Sequence, residues 1–249
     1  MTAPLVVGNT KSYINSLKEM MSLQESIWQN LEKDKYNYFM AVPTAMIHAM
    51  AQEKYWAPIF GAQSFDQGGE GAHTGANTLS QIKDSGAKFT ILGHSERREQ
   101  GETNESVAKR AQESLSKNFT TIICVGEKNR NAGEEYLDFI KKELEESLRD
   151  VDRRGAENLI IAYEPLWAIG APRPASPAQT LEVVIHIRRT LVEIFGLENA
   201  KKIKILYGGA VTGDGVREYV SEAGVDGVLV GRASTSGKEF AKIINELNR

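Results

Sequence analysis

Eight times along the chain a short apolar run is followed by a longer segment of helical period. The runs are Leu5–Val7, Tyr38–Val42, Ile59–Ala62, Phe89–Leu92, Thr121–Val125, Leu159–Tyr163, Ile203–Tyr207 and Val228–Val230. They are short, rich in β-branched and aromatic residues and apolar at consecutive positions, which is the pattern of strands buried on both faces. Between them lie amphipathic stretches such as Ser16–Glu32, Glu134–Asp152 and Pro177–Phe195. In the second, Leu137, Ile140, Leu144, Leu148 and Val151 recur at spacings of three and four, with charges on the other face. Strict strand–helix alternation demands a parallel sheet with crossover helices. An open doubly wound sheet and a closed barrel both satisfy that demand. Eight units in 249 residues match the barrel's count and size. Gly8-Asn9-Thr10-Lys11 follows the first run, with no G-x-G-x-x-G fingerprint of an open dinucleotide-binding sheet. No composition break or low-complexity linker divides the chain, so residues 1–249 are expected to form one α/β domain, a single (β/α)8 barrel.

Composition removes several classes of function. Thirty Lys and Arg against 33 Asp and Glu leave a formal charge of −3 without long single-sign runs, so no nucleic-acid footprint exists. An anionic substrate would need a local set of donors working against a mildly negative whole. Met1–Leu5 has no basic, apolar leader, and the longest apolar runs fall far short of a bilayer span. No membrane association is expected, and the cytoplasm is the expected location. The single cysteine, Cys124, permits neither an internal disulfide nor a multi-cysteine zinc site. The four histidines show no metal spacing, and H-E-x-x-H, G-x-S-x-G and Walker patterns are absent. No metal site is expected.

Polar residues collect just past the runs. Asn9 and Lys11 follow the first, His94, Ser95 and Glu96 the fourth, Glu164 the sixth, Gly208-Gly209 the seventh and Gly231-Arg232 the eighth. In a barrel all these positions converge on the C-terminal face, where such enzymes place their sites. Taken singly, Lys11 reads as a surface lysine, His94 as a capping histidine, Glu164 as a strand-end carboxylate and each glycine as a turn. Taken together they supply a base, an electrophile, a cation and a phosphate cradle. His94 precedes a plausible helix entry, where the dipole disfavours imidazolium and keeps the ring a neutral donor. Glu164 lies between Leu159–Tyr163 and Pro165-Leu166-Trp167, apolar surroundings that desolvate a carboxylate and strengthen it as a base. Glycines past the last two strands suit backbone N–H contacts to phosphate. The set fits proton abstraction beside a carbonyl in a small phosphorylated substrate. The glycine-rich loop from Gln63 to Asn77 reads either as a surface excursion or as a contact element.

Over essentially the whole chain these segments resemble the triosephosphate isomerase family. The resemblance is carried by Val7-Gly8-Asn9-Thr10-Lys11, Ile91–Arg98, Cys124-Val125-Gly126-Glu127, Ala162–Gly170, Tyr207-Gly208-Gly209 and Leu229-Val230-Gly231. It implies a TIM barrel that interconverts dihydroxyacetone phosphate and glyceraldehyde 3-phosphate in glycolysis and gluconeogenesis, without metal or organic cofactor. It makes Glu164 the base, His94 the neutral electrophile, Lys11 the cation facing the oxyanion, Asn9 the group that orients substrate and lysine, and Glu96 a supporting acid. It assigns phosphate contacts to the backbone amides of Gly170, Ala210, Gly231 and Arg232. It makes the stretch from Pro165 to Ala175 a closing lid. It also implies a homodimer in which Thr74 of the 63–77 loop reaches the neighbouring site.

Departures from the family pattern concentrate around the site. Thr10 replaces an aromatic residue, Ser12-Tyr13 replaces the common Met-Asn, and Arg232 stands where many members have a second glycine, so its side chain is expected to point outward. The lid tip reads Ala171-Pro172-Arg173-Pro174, with two fixed φ angles. A family clasp between a serine hydroxyl and a lid amide is missing at both ends, since the aligned residues are Ala210 and Pro172. That leaves Tyr207 as the residue expected to hold the Ala175 end. Two alternatives remain on the residues alone. Another phosphate-binding barrel enzyme, an aldolase for instance, would need a Schiff-base lysine on a strand. A non-catalytic phosphosugar-binding barrel would need no base.

Overall fold

The apolar runs become strands because the fold covers both of their faces. Along β1 (Leu5–Asn9), Leu5 and Val7 point into one cluster and Val6 into another, and the same alternation divides Ile122 and Cys124 from Ile123, and Ile160 and Ala162 from Ile161. The strand period of two thus sends alternate residues to the barrel interior and to the layer beneath the helices. The remaining strands are β2 (Tyr38–Val42), β3 (Ile59–Ala62), β4 (Phe89–Leu92), β5 (Thr120–Val125), β6 (Leu159–Tyr163), β7 (Lys204–Tyr207) and β8 (Gly227–Val230). They agree with the expected runs to within two residues at either end. The computed structural model describes residues 3–32, 38–53, 58–130, 133–171 and 173–249. Each strand pairs in parallel with the next, and β8 returns to β1 through Leu5↔Gly227 and Gly8↔Val230, closing the barrel.

Helices connect and surround the strands: α1 (Leu17–Asn30), α2 (Thr44–Gln52), α3 (Leu79–Asp84), α4 (Ser95–Glu99), α5 (Asn104–Ser116), α6 (Glu135–Leu148), α7 (Pro177–Phe195), α8 (Leu197–Ala200), α9 (Val216–Glu222) and α10 (Gly237–Leu247). Their starts follow local chemistry. Ser16 caps α1 by accepting from the Glu19 N–H. At α7, Ser176 and Gln179 form a reciprocal capping box with Pro177 in the first turn, where a missing N–H costs nothing. The apolar face of α6 buries Tyr136, Ile140, Leu144 and Leu148 against the outer layer.

The barrel interior is filled with side chains. Leu5, Val7, Phe89, Ile91, Ile122, Ile160 and Leu206 pack together there, and the Phe39 and Phe89 rings lie 4.9 Å apart. Such a plug leaves no channel, so a ligand has access only at the strand ends. Among the described residues no helix is long and apolar enough to cross a membrane.

Candidate active site

At the C-terminal ends of the strands a cavity of about 750 Å³ is lined by Asn9, Lys11, His94, Glu96, Glu164, Gly170, Ala210, Gly231 and Arg232. The nine candidate catalytic and phosphate-contact residues therefore border one space. Asn9 is the last residue of β1, buried, and its Oδ1 accepts the Lys11 N–H at 3.0 Å. Lys11 takes the left-handed conformation, φ 48°, which is costly for a residue with a Cβ and needs a surrounding clamp. Gln63 provides it by donating from Nε2 to the Lys11 carbonyl at 2.8 Å. Gln63 also donates to the buried Thr10 hydroxyl, which in turn donates to the Ala41 carbonyl of β2. Thr10, a departure from the family pattern, thus ties the β1 turn to its neighbouring strand.

His94 is the N-cap of α4, and its side chain is nine-tenths buried. Its Nδ1 accepts the Glu96 backbone N–H at 3.2 Å and so carries no proton. The hydrogen-bond network then assigns the proton to Nε2, which lies 3.1 Å from Glu164 Oε1. Glu164 is 3% exposed, and its other oxygen accepts the Ser95 N–H at 3.0 Å. The start of α4 therefore does two things at once: one amide sets the histidine tautomer and another holds the carboxylate.

Glu96, expected as a supporting acid beside the histidine, meets the site through both its carboxylate and its backbone N–H. Its carboxylate sits 3.9 Å from His94 Nδ1 and pairs instead with Lys11 Nζ at 2.6 Å, half-exposed to solvent. Its backbone N–H, rather than its charge, orients the ring. Arg232 is exposed at the cavity rim with its guanidinium 6.0 Å from the Tyr13 ring centroid. Both side chains border the cavity. Pro172 lies outside the described residues, so the clasp argued from Pro172 and Ala210 has no structural counterpart here. At the Ala175 end the carbonyl accepts from the Tyr219 hydroxyl at 2.6 Å, and the Tyr207 hydroxyl lies against the Ala175 backbone and the Tyr219 hydroxyl. Tyr207, expected to hold this end, therefore shares Ala175 with Tyr219.

A second buried glutamate stands behind the first. Glu127 is 1% exposed, and its Oε1 accepts from the Tyr163 hydroxyl at 2.9 Å and from Trp167 Nε1 at 2.7 Å. Burial pushes its carboxyl up, only partly offset by these donors. It fixes the start of the segment that follows Glu164, because its own carbonyl accepts the Leu166 N–H. Beneath the site, Glu102 accepts from the Gly93 N–H at 2.6 Å and pairs with Arg97 and Arg110. Burial raises its carboxyl, but the Arg110 and Arg97 charges outweigh that and hold it below the usual range. Gln63, Glu127 and Tyr219 were not named as functional residues from the sequence, and Ser95 was named only as a polar residue past the fourth run. Only the glutamate left a sequence signal, in the Cys124-Val125-Gly126-Glu127 segment. Among the described residues no group of three or more His, Cys, Asp or Glu is placed to hold a metal ion.

The family model described as triosephosphate isomerase matches residues 4–247. The chain belongs to the triosephosphate isomerase family. Among its relatives is the triosephosphate isomerase of Alkaliphilus oremlandii, 33% identical over 249 residues that cover 98% of this chain and 100% of the relative. That of Caldanaerobacter subterraneus subsp. tengcongensis is 34% identical over 249 residues, with the same coverage. That of Corynebacterium efficiens is 36% identical over 249 residues, covering 96% of this chain and 94% of the relative. Membership of the triosephosphate isomerase family accounts for the strand-end positions of Asn9, Lys11, His94 and Glu164 around one cavity.

Proposed function

We propose that this chain interconverts dihydroxyacetone phosphate and D-glyceraldehyde 3-phosphate, with Glu164 moving the proton between the two carbons. The observation that carries this reading is the 3.1 Å approach of His94 Nε2 to the Glu164 carboxylate, with Nδ1 occupied by the Glu96 N–H. With substrate between them, Glu164 exchanges the Ser95 and His94 donors for the substrate C–H and takes its proton. The electron pair moves onto the carbonyl oxygen, giving an enediolate. His94 Nε2–H and Lys11 Nζ donate to that oxygen as its charge develops, in a buried site where fixed donors act strongly. Protonated Glu164 returns the proton to the neighbouring carbon, and the hydroxyl proton passes by way of His94, so no proton is lost overall. Asn9 keeps Lys11 in position. The amides of Gly170, Ala210, Gly231 and Arg232 hold the phosphate. Before the lysine can serve, it exchanges its Glu96 partner for the substrate.

A coupled assay with glyceraldehyde 3-phosphate tests the reading directly. Turnover well above that of Glu164→Gln is expected, and equal rates would leave a phosphosugar-binding barrel without catalysis. The same reading includes a cytoplasmic homodimer joined through the 63–77 loop. The neck of that loop is pinned by Asp66 N–H to the Asn77 carbonyl and by Asn77 N–H to Asp66 Oδ2, and its tip, Thr74 included, is exposed. A pinned neck with an exposed tip suits insertion into a partner. Thr74→Arg with Gly75→Glu would place unpaired charges in that contact. Sedimentation is expected to show monomers with reduced activity, and fully active monomers would reject the dimer.

A further inference from the structure

On α9, Tyr219 is buried and donates its hydroxyl to the Ala175 carbonyl at 2.6 Å. Its ring stacks on Tyr207 with centroids 4.0 Å apart and planes 12° apart. Tyr207 ends β7 immediately before Gly208-Gly209-Ala210, and a Cβ on Gly209 would lie 2.3 Å from the Tyr207 hydroxyl. The Tyr207 ring is thus confined by the Tyr219 ring and by the Gly209 backbone. Ala175 is fully buried and precedes Ser176, the capped start of α7. Upstream of it Gly170 and Ala171 are exposed, and the Ala171 N–H makes a weak 3.4 Å bond to the Ala168 carbonyl. One side chain therefore touches the exit of the segment carrying Gly170 and, through a stacked ring, the turn carrying Ala210.

We propose that Tyr219 is a positioning residue that sets Gly170 and Ala210 in register as two amides of one anion cradle. The inference rests on the reading of the site as a phosphate-binding isomerase site and names how its two halves are aligned. The hydroxyl fixes the Ala175 carbonyl and the stacked ring fixes Tyr207, so one rigid side chain held on α9 keeps the two anchors at constant separation. Losing either anchor lets one amide drift while the other stays, which weakens phosphate contact without removing any group that touches it.

The variants Tyr219→Phe and Tyr219→Leu separate the anchors, because the first keeps the ring stack and the second removes both. Inorganic phosphate titrated by calorimetry onto the intact protein is the direct readout, with KM and kcat measured alongside and thermal midpoints recorded. Tyr219→Phe is expected to weaken phosphate binding ~3- to 10-fold, the worth of one hydrogen bond, with KM rising in step. A larger loss is expected for Tyr219→Leu. Should Tyr219→Leu fail to fold, Tyr219→Phe carries the test. A lowered thermal midpoint with parental phosphate affinity and KM would make Tyr219 merely structural and overturn the proposal. If the parent protein binds phosphate yet shows no turnover, the isomerase reading fails while weaker phosphate binding by Tyr219→Phe still supports the alignment role.

Discussion

The barrel interior and the barrel mouth are built from the same eight strands and obey opposite rules. Inside, Phe89, Ile91, Ile122 and Leu206 pack in one apolar cluster, and their burial stabilises the fold. At the mouth the same strands deliver Asn9, His94, Glu164 and Glu127, each 7% exposed or less. Burying such groups costs stability unless donors and acceptors are supplied. The supply comes largely from outside the strands: α4 amides for His94 and Glu164, Gln63 for the Lys11 turn, and Trp167 for Glu127. The interior is therefore organised for stability, and the mouth for holding polar groups that a substrate can take over.

That contrast can be broken first at Glu164. Replacing it by Gln is expected to lower kcat about 10²–10⁴-fold, with little change in the thermal midpoint. Global unfolding of the variant would show that the mouth also carries the fold. Lys11→Met is expected to cost about 10²–10³-fold in kcat/KM by removing a cation from the developing oxyanion. Steady-state kinetics identical to the parent would place the lysine outside the reaction. In the interior, Phe89→Ala is expected to destabilise the fold by about 3–5 kcal/mol by opening a cavity. Measured below its unfolding range, its kcat should stay near the parent's. A collapse of kcat without loss of denaturant stability would contradict the division.

The smallest effect sharpens the contrast within the mouth itself. Glu127 holds its proton more tightly when folded than when unfolded, because burial pushes its carboxyl up. Its contribution to stability therefore falls as pH rises from the ordinary carboxyl range through its own raised value, and is level beyond it. Glu127→Gln keeps an oxygen acceptor for Tyr163 and Trp167 but cannot ionise. Denaturant midpoints of parent and variant plotted against pH should diverge across that window and run parallel above it. Parallel curves throughout would mean that Glu127 has no such coupling.

Much of the architecture was legible because burial on two faces leaves a dense signature. A run such as Leu159–Tyr163 has no polar residue to confuse it, and eight such runs in alternation leave few topologies. Asn9, His94 and Glu164 were legible as polar residues abruptly ending apolar runs. The holders of the site were not legible, for a physical reason. Tyr219 reaches Ala175, and Gln63 reaches Lys11, across stretches of chain with no shared period. A tyrosine at a buried helix position looks like core, and the hydroxyl's target appears only once two loops are side by side. The amide of Ser95 left no trace at all, since backbone donors are the same in every residue.

The pairing of β8 with β1 also orders events during synthesis. Strands emerging from the ribosome can add one after another to a growing sheet, since each lies beside its predecessor. Until Gly227–Val230 arrives, that sheet has two free edges, one of them β1, and open edges invite pairing with other chains. Closure joins segments near opposite ends of the chain and is the slow, non-local step. The same step brings Gly231 up to Lys11, whose Cε then lies 3.5 Å from where a Cβ on that glycine would stand. A nascent chain thus has its base and its histidine placed early, but gains a complete anion-binding mouth only when its last strand shuts the edge that would otherwise aggregate.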